Sequence, residues 1–587
     1  MDRDGYGGGS NLRTPASENS GISVHPKSVE HLRASLSDPR ILWRWVGATI
    51  LCGFVFLLWC NRHTWFFGDD FAYVFDRYLA AKDGRWVDAL LRPHNEHWVT
   101  LPAFLHIALQ TLFGIDQHLI FIIPVVSAHC LGVWAASRVV FRATADGAAT
   151  LATALALTFM AAGNENLLWG FQVGFIGAPV LVILATLLCH RDNSTQRLGV
   201  ASLLCCLAVM TQGTALSAMV IPTLLLLFQR RIRDLVIIVG PAAALFIGWY
   251  LKWGSDSVHS SPTNEQRLQW PQYVWKGIQT SLDGFVNVQG AGAIILALSL
   301  VGLCRSRLGW SHLQLPIAMF AAAPCFFAIS AWGRLQFGID QAGASRYQYI
   351  GILFMSPLLI IGVYELVSLP RRRTASLLIV GAWIATSGIS GLAAASTSTY
   401  PTDPRFRRTI EAAALLGEDP AVAGGRRPSP QFNPNVTVDG LRELVADGSF
   451  TPRPNPPEEA LMEASLWTTL NILPSDEIPI TTPHTIVGLL GGSYRDLSQH
   501  CGLIESAGGL RIVIDTVGDE PLTISGVKGG QVLVSYESRA TSDYSAQFPQ
   551  QLLPSTNYSI SGWLDSTKLV LDFGYGESVS ICGARLA

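Results

Sequence analysis

Charge is scarce in this chain of 587 residues: Asp, Glu, Lys and Arg make up only 14%, against 49% hydrophobic residues. That balance excludes an ordinary soluble globular protein and points to one that is mostly membrane. The formal net charge is −2, so there is no basic field for nucleic acid. There is no Gly-rich phosphate loop and no soluble doubly wound domain of the kind that binds nucleotides. Nor is there an obvious internal repeat, and the middles of the apolar runs are apolar or small, with Gln212 and Gln289 among the few exceptions. Transporters often repeat in halves and carry ionisable residues at mid-bilayer, so a lipid or glycan transporter or flippase is the weaker alternative.

What is present is a series of apolar runs. Residues 1–40 are rich in Gly, Ser, Asn and Pro without such a run, and read as a disordered cytoplasmic tail. A spanning helix needs about 20 apolar residues. Candidate runs lie near 41–60, 117–140, 147–163, 171–190, 197–213, 215–229, 235–253, 284–303, 311–331, 347–369 and 375–396. The expected architecture is therefore an α-helical polytopic membrane protein of about eleven transmembrane helices. With the N-terminus cytoplasmic, each loop that must also be cytoplasmic is basic, among them Arg230 with Arg231 and Arg233, and Arg371 to Arg373. The expected location is the cytoplasmic (inner) membrane, with residues 397–587 outside.

Two stretches fit poorly as spans. Val99 to Phe113 would upset the alternation and reads as an interfacial helix. Before it, Phe71, Val74, Phe75, Tyr78, Leu79, Trp86 and Leu90 follow helical spacing opposite Asp76, Arg77, Lys82 and Asp83. That pattern suits helices lying in the headgroup plane, so interfacial helices are expected over 71–113. After Tyr400 the composition turns Pro-rich and polar. Residues 397–479 read as a linker with helices near 405–417 and 457–471, and 480–587 as a β-rich domain holding a β-sandwich. Eight of the ten cysteines sit in or beside apolar runs, as small buried hydrophobes do. Cys501 and Cys582 bracket the β-rich segment and are expected to form a disulfide.

Four polar groups lie at the expected outer ends of these helices. Gly68-Asp69-Asp70 follows the first run, bracketed by Trp65, Phe66, Phe67 and Phe71. The bland reading is a helix N-cap. Apolar surroundings favour instead a carboxylate able to take a proton. His94-Asn95-Glu96-His97-Trp98 is unusually polar for an entry into a membrane-contacting helix. His94 and His97, taken as one helical turn apart, could bind a metal, but no third ligand is evident, and substrate hydrogen bonding is preferred. Asn164, Glu165, Trp169 and Gln172 mix amide, acid and aromatic groups suited to sugar hydroxyls and faces, or to an aromatic interface belt. Arg346, beside Tyr347, breaks the charge pattern. It is placed either to snorkel or to grip a lipid phosphate, with Arg334 a weaker candidate.

An external acidic pair, interfacial helices, a long multi-helix core and an external tail together resemble the GT-C superfamily of polyprenyl-phosphate-sugar-dependent glycosyltransferases. The resemblance covers about 41–396 and rests on Gly68-Asp69-Asp70, on His94 to Trp98 followed by Leu101-Pro102 and Phe113-Gly114, and on Ser345 to Tyr349. Some cell-wall arabinosyltransferases and mannosyltransferases of actinobacterial type carry comparable external domains. The resemblance implies a polyprenyl-phosphate-linked sugar donor among membrane lipids, and a cell-envelope glycan, lipid or protein acceptor. Asp69 or Asp70 would be the base and Arg346 the phosphate partner. It implies no nucleotide and leaves a divalent cation open. The remaining alternative is a non-catalytic scaffold presenting the external domain.

Overall fold

The computed structural model of the protein describes residues 26–587, except 191–193, 258–261, 368, 399–403, 421, 430–433, 476–482, 499, 507, 518–520, 527–529, 539–547, 553–555, 564–566 and 574–577. All eleven apolar runs contain helix. Among the described residues, eight helices are long and apolar enough to cross a membrane: Pro39–Cys60, Leu119–Thr144, Gly147–Leu167, Gly170–Cys189, Ile232–Lys252, Trp310–Phe337, Ser345–Leu366 and Pro370–Ser398. The chain is a multi-pass membrane protein.

Three of the expected spans look different in the fold. Runs 197–213 and 215–229 become the short apolar helices Thr195–Val209 and Thr214–Phe228. Run 284–303 is not straight: Trp270–Val286 and Ala291–Cys304 meet at 91°, and counting the pair as one span makes nine. The break is local in origin. Asn287 (φ 55°) and Gly290 (φ 81°) both adopt the left-handed conformation, which amide and glycine residues tolerate best.

Part of the expected tail over 1–40 is helical. Residues 1–25 lie outside the described set, but Pro26–Ser37 is a helix. Leu32 and Leu36 stand at 4-residue spacing in it. Leu36 is buried against Gly147, and Glu30 pairs with Arg371.

Segment 71–113 holds more than two helical pieces. It breaks into a π-helical turn Ala72–Arg77, the helices Tyr78–Lys82 and Trp86–Leu91, and then Thr100–Phe113. Its supposed polar face is not all exposed. Arg77 is 1% exposed and donates to the carbonyls of Ala89 and Arg92, each at 2.7 Å, which folds the segment back on itself.

Its apolar face packs against helices Pro404–Leu416, Val438–Ala446 and Glu458–Thr468 in one core that joins Phe71, Val74, Phe75 and Ile107 to Ile410, Leu441 and Ala464. Polar contacts fix the join: Ile115 N–H donates to the Ser449 carbonyl at 2.8 Å, Tyr78 bonds Ser449 at 2.8 Å, and Lys82 pairs with Asp447 at 2.7 Å. Gly114 (φ 65°) leaves no room for a Cβ, which would stand 2.6 Å from that same carbonyl.

Beyond these helices, twelve strands among the described residues form two six-stranded sheets around one apolar core. Strand Asn471–Pro474 already pairs with Asn557–Ser561, so sheet structure begins before the expected boundary at 480, which itself lies outside the described residues. Strands Cys501–Glu505 and Ser578–Cys582 are antiparallel neighbours whose register puts Cys501 opposite Cys582, and the two form a disulfide.

Small residues let the bundle close. A Cβ on Gly302 would stand 1.9 Å from the Gly362 carbonyl, whereas one on Gly47 meets nothing within 4 Å. Close approach through small side chains is how helices associate where lipid supplies no hydrophobic drive. Gly302→Leu is expected to destabilise the detergent-solubilised protein by about 2 kcal/mol or more, read as a lower Tm. Gly47→Leu is expected to leave Tm unchanged.

Candidate active site

The acidic pair stands at a turn that the sequence itself closes. Gly68 adopts φ 55°, Asp70 N–H donates to the Phe67 carbonyl, and the Asp70 carboxylate accepts the Phe67 N–H at 3.2 Å. Consecutive residues entering a helical turn point in directions roughly 100° apart, so the two carboxylates meet different surroundings.

Asp70 is 0% exposed. Its Oδ2 also accepts the Trp169 indole N–H at 2.9 Å. Loss of water pushes its carboxyl up to about 8; hydrogen bonds from Phe67 and Trp169 oppose that rise, and the charge of Asp69 adds to it. Asp70 is therefore protonated at neutral pH. Oδ2 takes the Phe67 and Trp169 N–H donors, and the Phe171 N–H also bonds the carboxyl.

Oδ1 shares the space beside Gly170 with the His118 ring. The Thr64 hydroxyl spends its hydrogen on the Asn61 carbonyl at 2.8 Å, so it accepts from His118 Nδ1 at 3.0 Å and leaves Nε2 bare. Asp70 Oδ1 and His118 Nε2 each lie 3.4 Å from the point a Gly170 Cβ would occupy, and neither has a hydrogen bond of good geometry. Burial holds His118 neutral, pushed down to about 3. Sequence reasoning passed over His118, a lone His at the start of the apolar run near 117–140.

Asp69 faces the other way, with its side chain 49% exposed, 3.9 Å from His94 Nε2. Burial alone would raise its carboxyl. The interaction with His94 and the positive charges of Arg346 and Arg334 outweigh that and hold Asp69 below the ordinary carboxylate range.

Each arginine is anchored by its own acid: Arg346 Nη1 to Glu165 Oε1 at 2.9 Å, and Arg334 Nη2 to Glu96 Oε1 at 2.6 Å. Ser345 holds the Arg346 pair in place from the neighbouring turn, its hydroxyl 3.1 Å from Asn164 Oδ1 and accepting the Glu165 N–H at 3.2 Å.

The fold thus brings Asp69, His94, Glu96, His97, Asn164, Glu165, Arg334 and Arg346 to one end of the bundle. Other expected site residues are arranged differently. His94 and His97 are not a helical turn apart. They pair across a tight turn through reciprocal backbone bonds of 3.0 and 2.9 Å, which exposed Asn95 closes at φ 50°.

His94 packs on Tyr73 and Phe171, while His97 lies by Glu96 at 3.6 Å and against Gly213. Burial pushes His97 down to about 4, so it is neutral. Among the described residues, no three His, Cys, Asp or Glu side chains are grouped to hold a metal.

Trp169 and Tyr347 are buried. Trp169 braces Asp70 and stacks near Phe67, and Tyr347 packs between Phe175 and Phe326 with the Arg346 guanidinium 5.4 Å from its ring centre. Gln172 is buried and accepts from Asn166 at 3.5 Å, so it supports the turn from behind. Tyr73, buried beneath His94, escaped sequence reasoning because it belongs to neither the apolar nor the polar face of the 71–90 pattern.

No known protein family matches the chain, and no curated protein does. Among solved structures, it is similar to the arabinosyltransferase EmbB from Mycobacterium smegmatis, determined by single-particle cryo-EM. The identity is 11% and the TM-score 0.34, over 92% of this chain and 64% of that one. The chain thus spans less than two thirds of that protein's length.

The buried proton on Asp70 has a thermodynamic consequence. The folded state keeps it up to about 8, while an unfolded chain releases it near ~4. Between those values the unfolded state binds fewer protons, so stability falls as pH rises through that window and levels off above it. Asp70→Asn mimics the protonated acid and is expected to flatten the decline of Tm between pH 5 and about 8.

Proposed function

We propose that this protein is a membrane glycosyltransferase that moves a sugar from a polyprenyl-phosphate donor to a cell-envelope glycan at the outer face of the cytoplasmic membrane, with inversion. The observation that carries this reading is the half-exposed, ionised Asp69 held beside two arginines at one end of an apolar bundle. Asp69 supplies the base, Arg346 and Arg334 receive the phosphate, and the lipid tail lies between helices.

In the transfer, an acceptor hydroxyl attacks the anomeric carbon from the face opposite the phosphate. Its proton passes to Asp69 as the new C–O bond forms. The bond from the anomeric carbon to the phosphate oxygen breaks, and its electron pair leaves with the polyprenyl phosphate. The arginines stabilise the charge that grows there. A bound phosphate also offsets the arginine charge that holds Asp69 low, so donor binding raises the basicity of the base when it is needed. Asp70 is a positioning residue in this scheme: protonated and braced by Trp169, it fixes the turn that aims Asp69. Glu96 and Glu165 orient the guanidinium groups, and Asn164 is placed for sugar hydroxyls. Polar groups gathered at one end of the bundle favour this reading over a transporter, which needs them along a mid-bilayer path.

The test is transfer by purified protein in lipid nanodiscs, supplied with a panel of polyprenyl-phosphate sugars and envelope acceptors. Wild type is expected to give a product of inverted anomeric configuration. Asp69→Asn is expected to lose about 10²–10⁴-fold in rate, and Asp70→Asn to lose far less. Undiminished transfer by Asp69→Asn, or retention of configuration, contradicts the assignment.

A further inference from the structure

A second polar region lies at the elbow of the bent helix pair. There, a cleft of about 610 Å³ is lined by residues from Trp270–Val286, from the break at 287–290 and by Gln348. That size falls within the ~300–1,000 Å³ typical of small-ligand sites. Its chemistry is amide-rich. Gln279, Asn287 and Gln289 point to it, and among the described residues none of their side chains makes a hydrogen bond. The Thr280 hydroxyl donates to the Lys276 carbonyl at 2.8 Å, which leaves its oxygen able to accept. Both charged lining residues are already engaged: Lys276 pairs with Asp340 at 3.0 Å, and Asp283 Oδ1 accepts the Gly292 N–H at 2.6 Å. No cation is left to recruit an anion, and the open amides offer donors and acceptors together, which suits hydroxyl groups.

The cleft adjoins the candidate active site. Gly284, on its wall, abuts Gln348 and Ala162, and a Cβ there would stand 2.3 Å from Gln348 Oε1 and 2.8 Å from the Ala162 Cβ. Ala162 accepts from Ser345 at 2.7 Å, the same hydroxyl that anchors Asn164 next to the Arg346–Glu165 pair. The elbow and the candidate site thus share the Ala162–Ser345 contact.

We infer that the cleft formed by Gln279, Thr280, Asn287, Gln289 and Gln348 is a subsite for a neutral glycan, gripping the acceptor chain at sugars beyond the one that reacts. This rests on the glycosyltransferase reading for its role, though not for its ligand chemistry. The left-handed break at Asn287 and Gly290 is what opens it, because a continuous helix would carry Gln289 away from Gln279.

The test combines binding with turnover. Protein in nanodiscs is mixed with the water-soluble glycan fraction released from the envelope of its own cells, and hydrogen–deuterium exchange is followed across residues 276–290. The fraction is expected to slow exchange there in wild type and in Asp69→Asn, and not in a Gln279→Ala/Asn287→Ala double variant of unchanged Tm. In transfer assays the double variant is expected to raise the acceptor KM about tenfold while leaving the donor KM and the rate with a single-sugar acceptor unchanged. Slowed exchange without transfer in wild type overturns the catalytic reading and keeps the subsite. Unslowed exchange, or slowing by anionic lipid vesicles instead of glycan, overturns the subsite.

Discussion

Two carboxylates on adjacent residues repel, and this chain relieves the repulsion by giving them different solvents. Asp70 is buried against Trp169 and Gly170 and keeps its proton; Asp69 stays at the water edge beside two arginines and loses its own. The separation depends on one short turn. Gly68 permits it, the Phe67 N–H and the Trp169 indole hold it from one side, and Gly170 leaves space for the buried oxygen on the other. A charge in that pocket would cost far more than a neutral acid, so burial itself sorts the pair into one ionised and one protonated group.

Such a turn needs a stiff frame, and the frame is shared between distant parts of the chain. The loop after the first long helix is packed against the bundle on one side and against helices from 404–468 on the other. Arg77 and the Ser449 contacts tie those layers by backbone as well as side-chain bonds. The C-terminal region therefore does more than hang from the membrane domain: its helices complete the core on which the acidic turn sits. The two sheets lie beyond them, closed by the Cys501–Cys582 disulfide.

Hydropathy is a local property, so the apolar runs were legible, and helix forms in all eleven. Length within a run was harder to read, and two runs proved too short to span alone. The bend at 287–290 was marked by Asn287 and Gly290, but polar punctuation inside an apolar run reads equally well as tolerated. Helical periodicity misled at 71–90, where Arg77 on the supposed wet face is buried by finding two carbonyl acceptors. Spacing misled again at His94 and His97, since three residues fit a tight turn as well as a helical one. The site's membership was mostly visible as polar clusters at helix ends. What could not be read was which acid is buried, because that depends on Trp169, 99 residues away along the chain, and on the neutral His118.

The division of labour between the two aspartates is the claim on which the rest stands. Isotope-edited infrared difference spectroscopy of the protein in lipid measures it directly. A carbonyl stretch from one protonated carboxylic acid should be present at neutral pH, fade as pH rises through about 8, vanish in Asp70→Asn and persist in Asp69→Asn. Loss of that band in Asp69→Asn with retention in Asp70→Asn, or no such band at neutral pH, contradicts the account.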